Sequence, residues 1–214
     1  MANLCEKLIN TCISASCENP IFSGIDSLAY IFNKSEIDSY TIDNDNPNIV
    51  SAITMKQDDN NTDFTGYVIQ QLGKTPFTGS TTSLVENDIQ NKWTENVQFM
   101  VPDNSPAAAA ILDNLGNGKF VVVLKNEYNG SDSKGQFQIF GLKKGLVCTA
   151  MERDPYGDSD GAWSVTLTSE NVPNSAMFVY HETTPGTDDT ESYLNGLVDD
   201  CSTEVVPDDD NGEE

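Results

Sequence analysis

Apolar and polar residues alternate along much of the chain with the two-residue period of a half-buried β-strand. Residues 91–101 are the plainest case, with apolar side chains at alternate positions such as Val97, Phe99 and Val101. Residues 119–128 are more continuously apolar, which also fits a strand. This pattern predicts strands at residues 49–57, 64–72, 91–101, 119–128, 135–144, 145–153, 161–170 and 175–181.

Turn-forming residues separate these segments, so we expect neighbouring strands to be antiparallel. We expect residues 145–153 to pair with residues 135–144. Residues 71–88 are rich in Gly, Ser and Thr, which predicts a long loop or a projecting hairpin. The expected fold class is mainly β: an antiparallel β-sandwich or barrel with one flanking α-helix.

That helix is predicted near residues 106–115, where every local feature agrees. Ser105, or Asn104 before it, can cap the helix, and Pro106 suits its first turn. The alanines that follow have high helix propensity. Gly116 or Gly118 can end the helix in a left-handed conformation. The expected buried face consists of Ala108, Ile111, Leu112 and Leu115.

The chain divides into three expected parts. Residues 1–48 are expected to form an extended N-terminal arm. It begins with a short helix that stops at Pro20 and continues with loops and short strands. Residues 49–182 predict the β-sandwich or barrel domain. Residues 183–214 predict an acidic, partly disordered C-terminal tail, within which the apolar piece at residues 193–198 can dock.

Charge is the strongest compositional feature. The chain has 34 Asp and Glu against 11 Lys and Arg, a formal net charge of -23. Arg153 is the last basic residue, so the final quarter is almost purely anionic. Nucleic-acid binding through phosphates needs a basic face, and this composition argues against such a function.

The five cysteines and the apolar runs bear on compartment and metal binding. An odd number of cysteines without a secretory leader predicts that the thiols are reduced and that the protein is made in a cytoplasm. We expect no membrane span, because no stretch approaches the roughly 20 apolar residues required. The spacing of the N-terminal cysteines does not match a zinc site, so no metal is expected. The cysteines are Cys5, Cys12, Cys17, Cys148 and Cys201.

The residues show no catalytic constellation, and we predict no enzyme, no cofactor and no catalytic site. The single histidine, His181, has no suitably spaced nucleophile and is interpreted as a surface or interface residue. Asp154, Asp158 and Asp160 do not meet the calcium-loop pattern, and a turn is favoured there. Trp93 and Trp163 are interpreted as core residues rather than a sugar platform.

Residues 91–180 resemble virion structural proteins of phages that infect Bacteroidetes, including crAss-like phages. The resemblance is carried by the segment GKFVVVL and the later segments GAWSVTLTSE and SAMFVY. Proteins of that kind are described as tail tube or tail ring components. The resemblance implies a β-sandwich or barrel with a flanking helix, whose subunits join into rings by extending sheets across their interfaces.

The leading hypothesis is therefore a structural subunit of a phage virion, made in the bacterial host cytoplasm and located in the tail. It would form a homo-oligomeric ring, hexameric in a tube or dodecameric in a connector, and contact other tail, portal or connector proteins. DNA would pass through the lumen without specific binding, since an anionic wall repels phosphates. A capsid decoration or host-receptor-binding protein is the alternative, and a carboxylate-dependent glycan hydrolase is a third possibility.

Overall fold

The structure is a computed structural model that describes residues 23–71, 73, 75–130, 132–156 and 161–199. The N-terminal residues with the expected short helix, and the acidic end from residue 200, lie outside the described residues. Within the described residues the elements, in chain order, are β1 (Ile25–Asn33), a 3₁₀ turn (Lys34–Glu36), β2 (Ile37–Ile42), β3 (Ile49–Met55), β4 (Tyr67–Gln70), β5 (Thr81–Val85), β6 (Lys92–Val101), α1 (Pro106–Asn117), β7 (Phe120–Asn126), β8 (Phe137–Phe140), β9 (Val147–Arg153), β10 (Trp163–Val172), β11 (Met177–Val179) and α2 (Thr190–Asn195).

The strands form two sheets that pack as a sandwich with a flanking helix, which confirms the expected fold class. The large sheet has seven strands in the order β2-β3-β11-β8-β7-β1-β4. The small sheet has four strands in the order β5-β6-β10-β9. Pairing is antiparallel throughout these sheets except between β11 and β3, which run parallel. Among the described residues each sheet ends in two edge strands, so the fold is a sandwich and not a closed barrel. The C-terminal segment bonds to the backbone of Gly66, beside the edge strand β4.

One hydrophobic core fills the space between the sheets. The large sheet contributes Ile31 and Val122, and the small sheet contributes Val97 and Val165. Leu112 of α1 packs into the same core. Burial of this apolar surface, at about 25 cal/mol per Å², is the main force that holds the two sheets together.

A second core lies on the opposite face of the large sheet. Because side chains alternate along a strand, β1 places Ala29 and Ile31 in the first core and Tyr30 and Phe32 in the second. Strand β7 alternates in the same way. The large sheet therefore needs a covering layer on each of its faces.

The C-terminal segment around α2 supplies the second covering layer. Leu194 is fully buried in the second core. The Tyr193 hydroxyl donates to the Ile53 carbonyl oxygen at 2.7 Å and accepts from the Ile53 N–H at 2.6 Å. The Tyr30 hydroxyl donates to Asn195 Oδ1 at 2.9 Å. The prediction that residues 193–198 dock is confirmed, and this part of the expected tail belongs to the folded body.

Helix α1 begins and is capped as predicted. The Ser105 hydroxyl accepts a hydrogen bond from the Ala108 N–H at 3.2 Å. Ala108, Leu112 and Leu115 are buried, but Ile111 is 56% exposed, so its predicted burial is wrong. It lies at the edge of the apolar stripe that the other three define. Gly118 ends the helix with φ -89°, an extended and not a left-handed conformation.

Two further expectations are wrong. The sheet begins at Ile25, well before residue 49, because β1 is an inner strand of the large sheet. Residues 147–153 do not pair with residues 137–140, since β9 pairs with β10 in the small sheet.

The chain crosses between the sheets after β8, where Gly141 adopts φ +75°. An added Cβ at Gly141 would lie 2.7 Å from the Phe120 carbonyl oxygen, so glycine is required there.

Tyr193→Phe is expected to lower the free energy of unfolding by about 1–3 kcal/mol, because the half-buried Ile53 amide and carbonyl lose their shared partner. Denaturant titration measures the change. Tyr180→Phe is the matched control, since its hydroxyl bonds to Glu182 at the surface, and it should change the stability by less than about 0.5 kcal/mol. Equal effects of the two substitutions would contradict this account of α2 docking.

Candidate functional site

The β5–β6 hairpin extends past the core of the sandwich. Leu84 pairs with Trp93 on the face that carries Val97 into the core. Even so, Leu84 is 54% exposed, and Ile89 in the connecting loop is fully exposed. Of the expected long loop or projecting hairpin at residues 71–88, the second half is thus one arm of a hairpin with β6, while Phe77 in the first half is buried in the first core. The end of the hairpin presents apolar side chains to solvent.

The other side of the small sheet forms an uncharged polar surface, called here the outer face. Its side chains alternate with those of the core, so they point away from the large sheet. They are half-buried or exposed, except for Thr168, which is buried. The outer face consists of Thr81 and Ser83 of β5, Thr94, Asn96 and Gln98 of β6, Ser164, Thr166 and Thr168 of β10, and Ala150 of β9.

Hydrogen bonds join these side chains across the strands. Thr168 Oγ1 lies 2.8 Å from Thr149 Oγ1, and it also donates to Asn96 Oδ1 at 2.8 Å. Asn96 Nδ2 in turn donates to Thr81 Oγ1 at 3.3 Å. This polar ladder therefore spans all four strands of the small sheet.

A cleft of about 840 Å³ opens between the sheets at one end of the sandwich. Its wall includes the turn before β5, where Phe77 is buried with φ +54°, an uncommon conformation for a residue with a side chain. Leu124 and Phe140 line the opposite wall together with Gln138. Among the described residues that line it, Glu127 is the one acidic residue and the others are neutral.

Glu95 is the buried carboxylate of the described residues. It is 3% exposed, and its Oε2 accepts a hydrogen bond from the Gly141 N–H at 2.7 Å. Burial raises the pKa of Glu95, opposed by the Gly141 hydrogen bond and the Lys143 charge. Its neighbours across the strands are Thr82 and Ser169, whose buried hydroxyls have no hydrogen-bond partner among the described residues. Glu95 links the two sheets at the point where the chain crosses between them.

The sequence contained a cue to Glu95 that was missed. Glu95 occupies the same alternate positions of β6 as Trp93 and Val97, which is the apolar side of the strand. A carboxylate in that place predicts a buried, hydrogen-bonded group.

The histidine considered as a site residue has a packing role. The His181 ring stacks on Tyr193 with centroids 4.1 Å apart, and its Nδ1 lies 2.8 Å from the Ser51 carbonyl oxygen. The His181 N–H donates to Thr190 Oγ1 at 2.8 Å. These contacts hold the C-terminal segment against the large sheet.

The other residues singled out from the sequence are dispersed. Trp163 packs against the first core, while Trp93 is half-buried on the hairpin. Cys148 is a free, half-buried thiol on β9, and burial raises its pKa. Asp154 accepts from the Tyr156 N–H in a local turn. Cys5, Cys12, Cys17, Cys201, Asp158 and Asp160 lie outside the described residues.

Within the part of the chain that the structure describes, no group of His, Cys, Asp and Glu side chains is placed to hold a metal ion. Among those same residues, no helix is long and apolar enough to cross a membrane.

Lys125 forms ion pairs with Glu191 at 2.8 Å and with Asp26 at 3.7 Å. These pairs hold α2 near the start of β1.

Comparison of the chain with models of known protein families, with curated proteins and with solved structures finds no match. Any assignment of function therefore depends on the surfaces of the fold described above.

Glu95→Gln is expected to stabilise the protein at neutral pH. The amide keeps an acceptor for the Gly141 N–H, removes a buried charge and can donate to the Thr82 or Ser169 hydroxyl. Because folding raises the pKa of Glu95, the wild type loses stability as pH rises through that pKa. The advantage of the variant should therefore grow between about pH 4 and pH 7.

Denaturant titrations across that pH range measure the difference in unfolding free energy. Glu152→Gln on the exposed part of β9 is the matched control and should show a much smaller dependence on pH. A difference for Glu95→Gln that is constant across the range would contradict the role given to its buried charge.

Proposed function

We propose that the protein is a structural subunit of a tailed-bacteriophage virion that assembles into rings of the tail. In the tail tube or the connector, these rings would form a conduit for genome ejection. The observation that carries the proposal is the projecting β5–β6 hairpin, which holds apolar residues such as Leu84 and Ile89 in solvent. Such side chains gain free energy when a neighbouring subunit covers them.

Three further features support the proposal. The segments 118–124, 161–170 and 175–180 carry the resemblance to phage tail proteins, and they contribute strands β7, β10 and β11 to the two sheets. Open edges allow sheets to be extended between copies by main-chain hydrogen bonds. The net charge of -23 suits a wall past which DNA must slide without sticking.

In this role the subunit contacts copies of itself, as a hexamer in a tube or a dodecamer in a connector. It also contacts other tail, portal or connector proteins, and DNA passes the lumen unbound. The role requires no catalytic residue and no cofactor. The protein is proposed to be made in the cytoplasm of the bacterial host and to reside in the virion tail.

A capsid decoration or host-receptor-binding protein is the second candidate. It is favoured by Tyr156, which is 99% exposed in the β9–β10 connection, and by the exposed Tyr67 on the edge strand β4. Exposed aromatic rings are frequent in binding surfaces. A protein of this kind would be displayed as a monomer or trimer.

Electron microscopy of the purified chain, imaged across a range of concentrations, tests the proposal. Closed rings of six or twelve copies with a central opening are the expected result. A particle that stays monomeric or trimeric under all conditions would overturn the tail-ring proposal and favour the second candidate.

Ile89→Ser tests the part played by the hairpin. Because Ile89 is fully exposed in the folded subunit, the substitution should leave the unfolding midpoint unchanged and lower the assembled fraction several-fold, as loss of a covered side chain of this size does. Light scattering measures assembly. Ile111→Ser, on the exposed side of α1, is the matched control and should assemble as the wild type does. Unaltered assembly of Ile89→Ser would exclude the hairpin as a contact.

A further inference from the structure

We infer that the outer face of the small sheet is the surface on which a second copy of this chain packs. This inference rests on the proposed self-assembly and assigns it a particular surface. It concerns the side chains defined above on β5, β6, β9 and β10, and not the hairpin end or the strand edges.

The absence of charge at these positions is the first argument. In a chain with 34 acidic residues, the outer-face positions carry Thr, Ser, Asn, Gln and Ala side chains. Charged residues of these strands stand toward its borders, with Lys92 and Glu170 toward the hairpin end and Glu152 toward the opposite end. Covering the centre of this face would bury no ionised group, which avoids the largest cost of forming an interface.

The hydrogen bonds within the face are the second argument. The ladder from Thr149 through Thr168 and Asn96 to Thr81 pairs these polar groups with one another. Gln98 Nε2 also donates to Ser164 Oγ at 3.1 Å. A polar group loses little on removal from water when its hydrogen bond is already made within the protein. The same bonds fix the side chains before contact, which reduces the entropy lost on binding.

The layering of the fold is the third argument. The large sheet is covered on one face by the small sheet and on the other by the C-terminal segment. The outer face has no such layer within the described residues, and its positions remain half-buried or exposed, Thr168 excepted. The exposed apolar side chains of Val85, Met100 and Val147 lie around its margin on the same side of the sheet.

The dimensions of the face suit one part of an interface. Four strands of about seven residues cover roughly 400 Å² at the usual strand spacing and rise. A stable interface takes about 800 Å² from each partner. The adjoining apolar margin and the projecting hairpin provide a continuous extension of this area.

Electrostatics favours a second copy as the occupant. Two copies that each carry a net charge of -23 repel one another, and they can approach most closely where neither presents carboxylates. A basic partner would instead be drawn to the acidic loops and not to an uncharged face. Two copies of the chain therefore repel each other least when their uncharged outer faces are in contact.

Thr166→Glu tests the inference, because Thr166 lies mid-face between Gln98 and Ala150. The full-length variant should keep the wild-type circular dichroism spectrum, and its self-association constant should fall at least about tenfold, since a carboxylate would be buried without a partner. Thr94→Glu on the same face provides a second test if Thr166→Glu folds poorly. Thr54→Glu, on the exposed side of β3, is the charge-matched control and should associate as the wild type does.

The outcomes separate this inference from the proposed function. If the wild type assembles and the folded outer-face variants assemble equally well, the inference is overturned while the tail-ring proposal stands. If the control loses assembly as strongly as the outer-face variants, added charge acts at no particular surface and the inference is again overturned. A wild type that never assembles would overturn the proposed function itself.

Discussion

Strands β1 and β7 lie within the large sheet and bury side chains on both of their faces, and the rest of the fold depends on this two-sided burial. Tyr30 and Phe32 point to one side while Ala29 and Ile31 point to the other. A sheet with two apolar faces is stable only when each face is covered. The small sheet and α1 cover one face, and the segment that contains Leu194 covers the other.

The small sheet differs from the large sheet, because one of its two sides is apolar and the other is polar. Its inner side joins the first core, but its outer side carries the polar ladder. Glu95 links the two sheets where the chain crosses between them. The large sheet is therefore covered on both faces, and we propose the outer face of the small sheet and the end of the β5–β6 hairpin as the surfaces for contact with other copies.

Local sequence patterns were enough to predict most strands and the one capped helix. Alternation in β6 and β10, and the Ser105 and Pro106 cap of α1, are properties of adjacent residues, so they can be recognised without a structure. Strand β1 was assigned to an arm of loops and short strands, because Asn, Asp and Ser residues interrupt the apolar pattern on both sides of it. Its segment Leu28–Phe32 is continuously apolar.

Pairing between distant segments could not be predicted from the same patterns. The transfer of β9 to the small sheet depends on the turn at Gly141, and the parallel pairing of β11 with β3 joins segments far apart in the chain. The alternate Thr, Ser, Asn and Gln residues of β6 and β10 did indicate a polar side. That the ladder crosses all four strands becomes visible only when the register is known.

The proposed assembly requires a strongly anionic protein to associate with itself through an uncharged face. Salt screens the repulsion between the remaining carboxylates, with a Debye length of about 10 Å at 0.1 M ionic strength. Sedimentation velocity of the wild-type chain over a series of salt concentrations tests this self-association most directly. We expect a discrete oligomer whose proportion rises with salt, whereas a monomer at every salt and protein concentration would exclude self-association through the outer face.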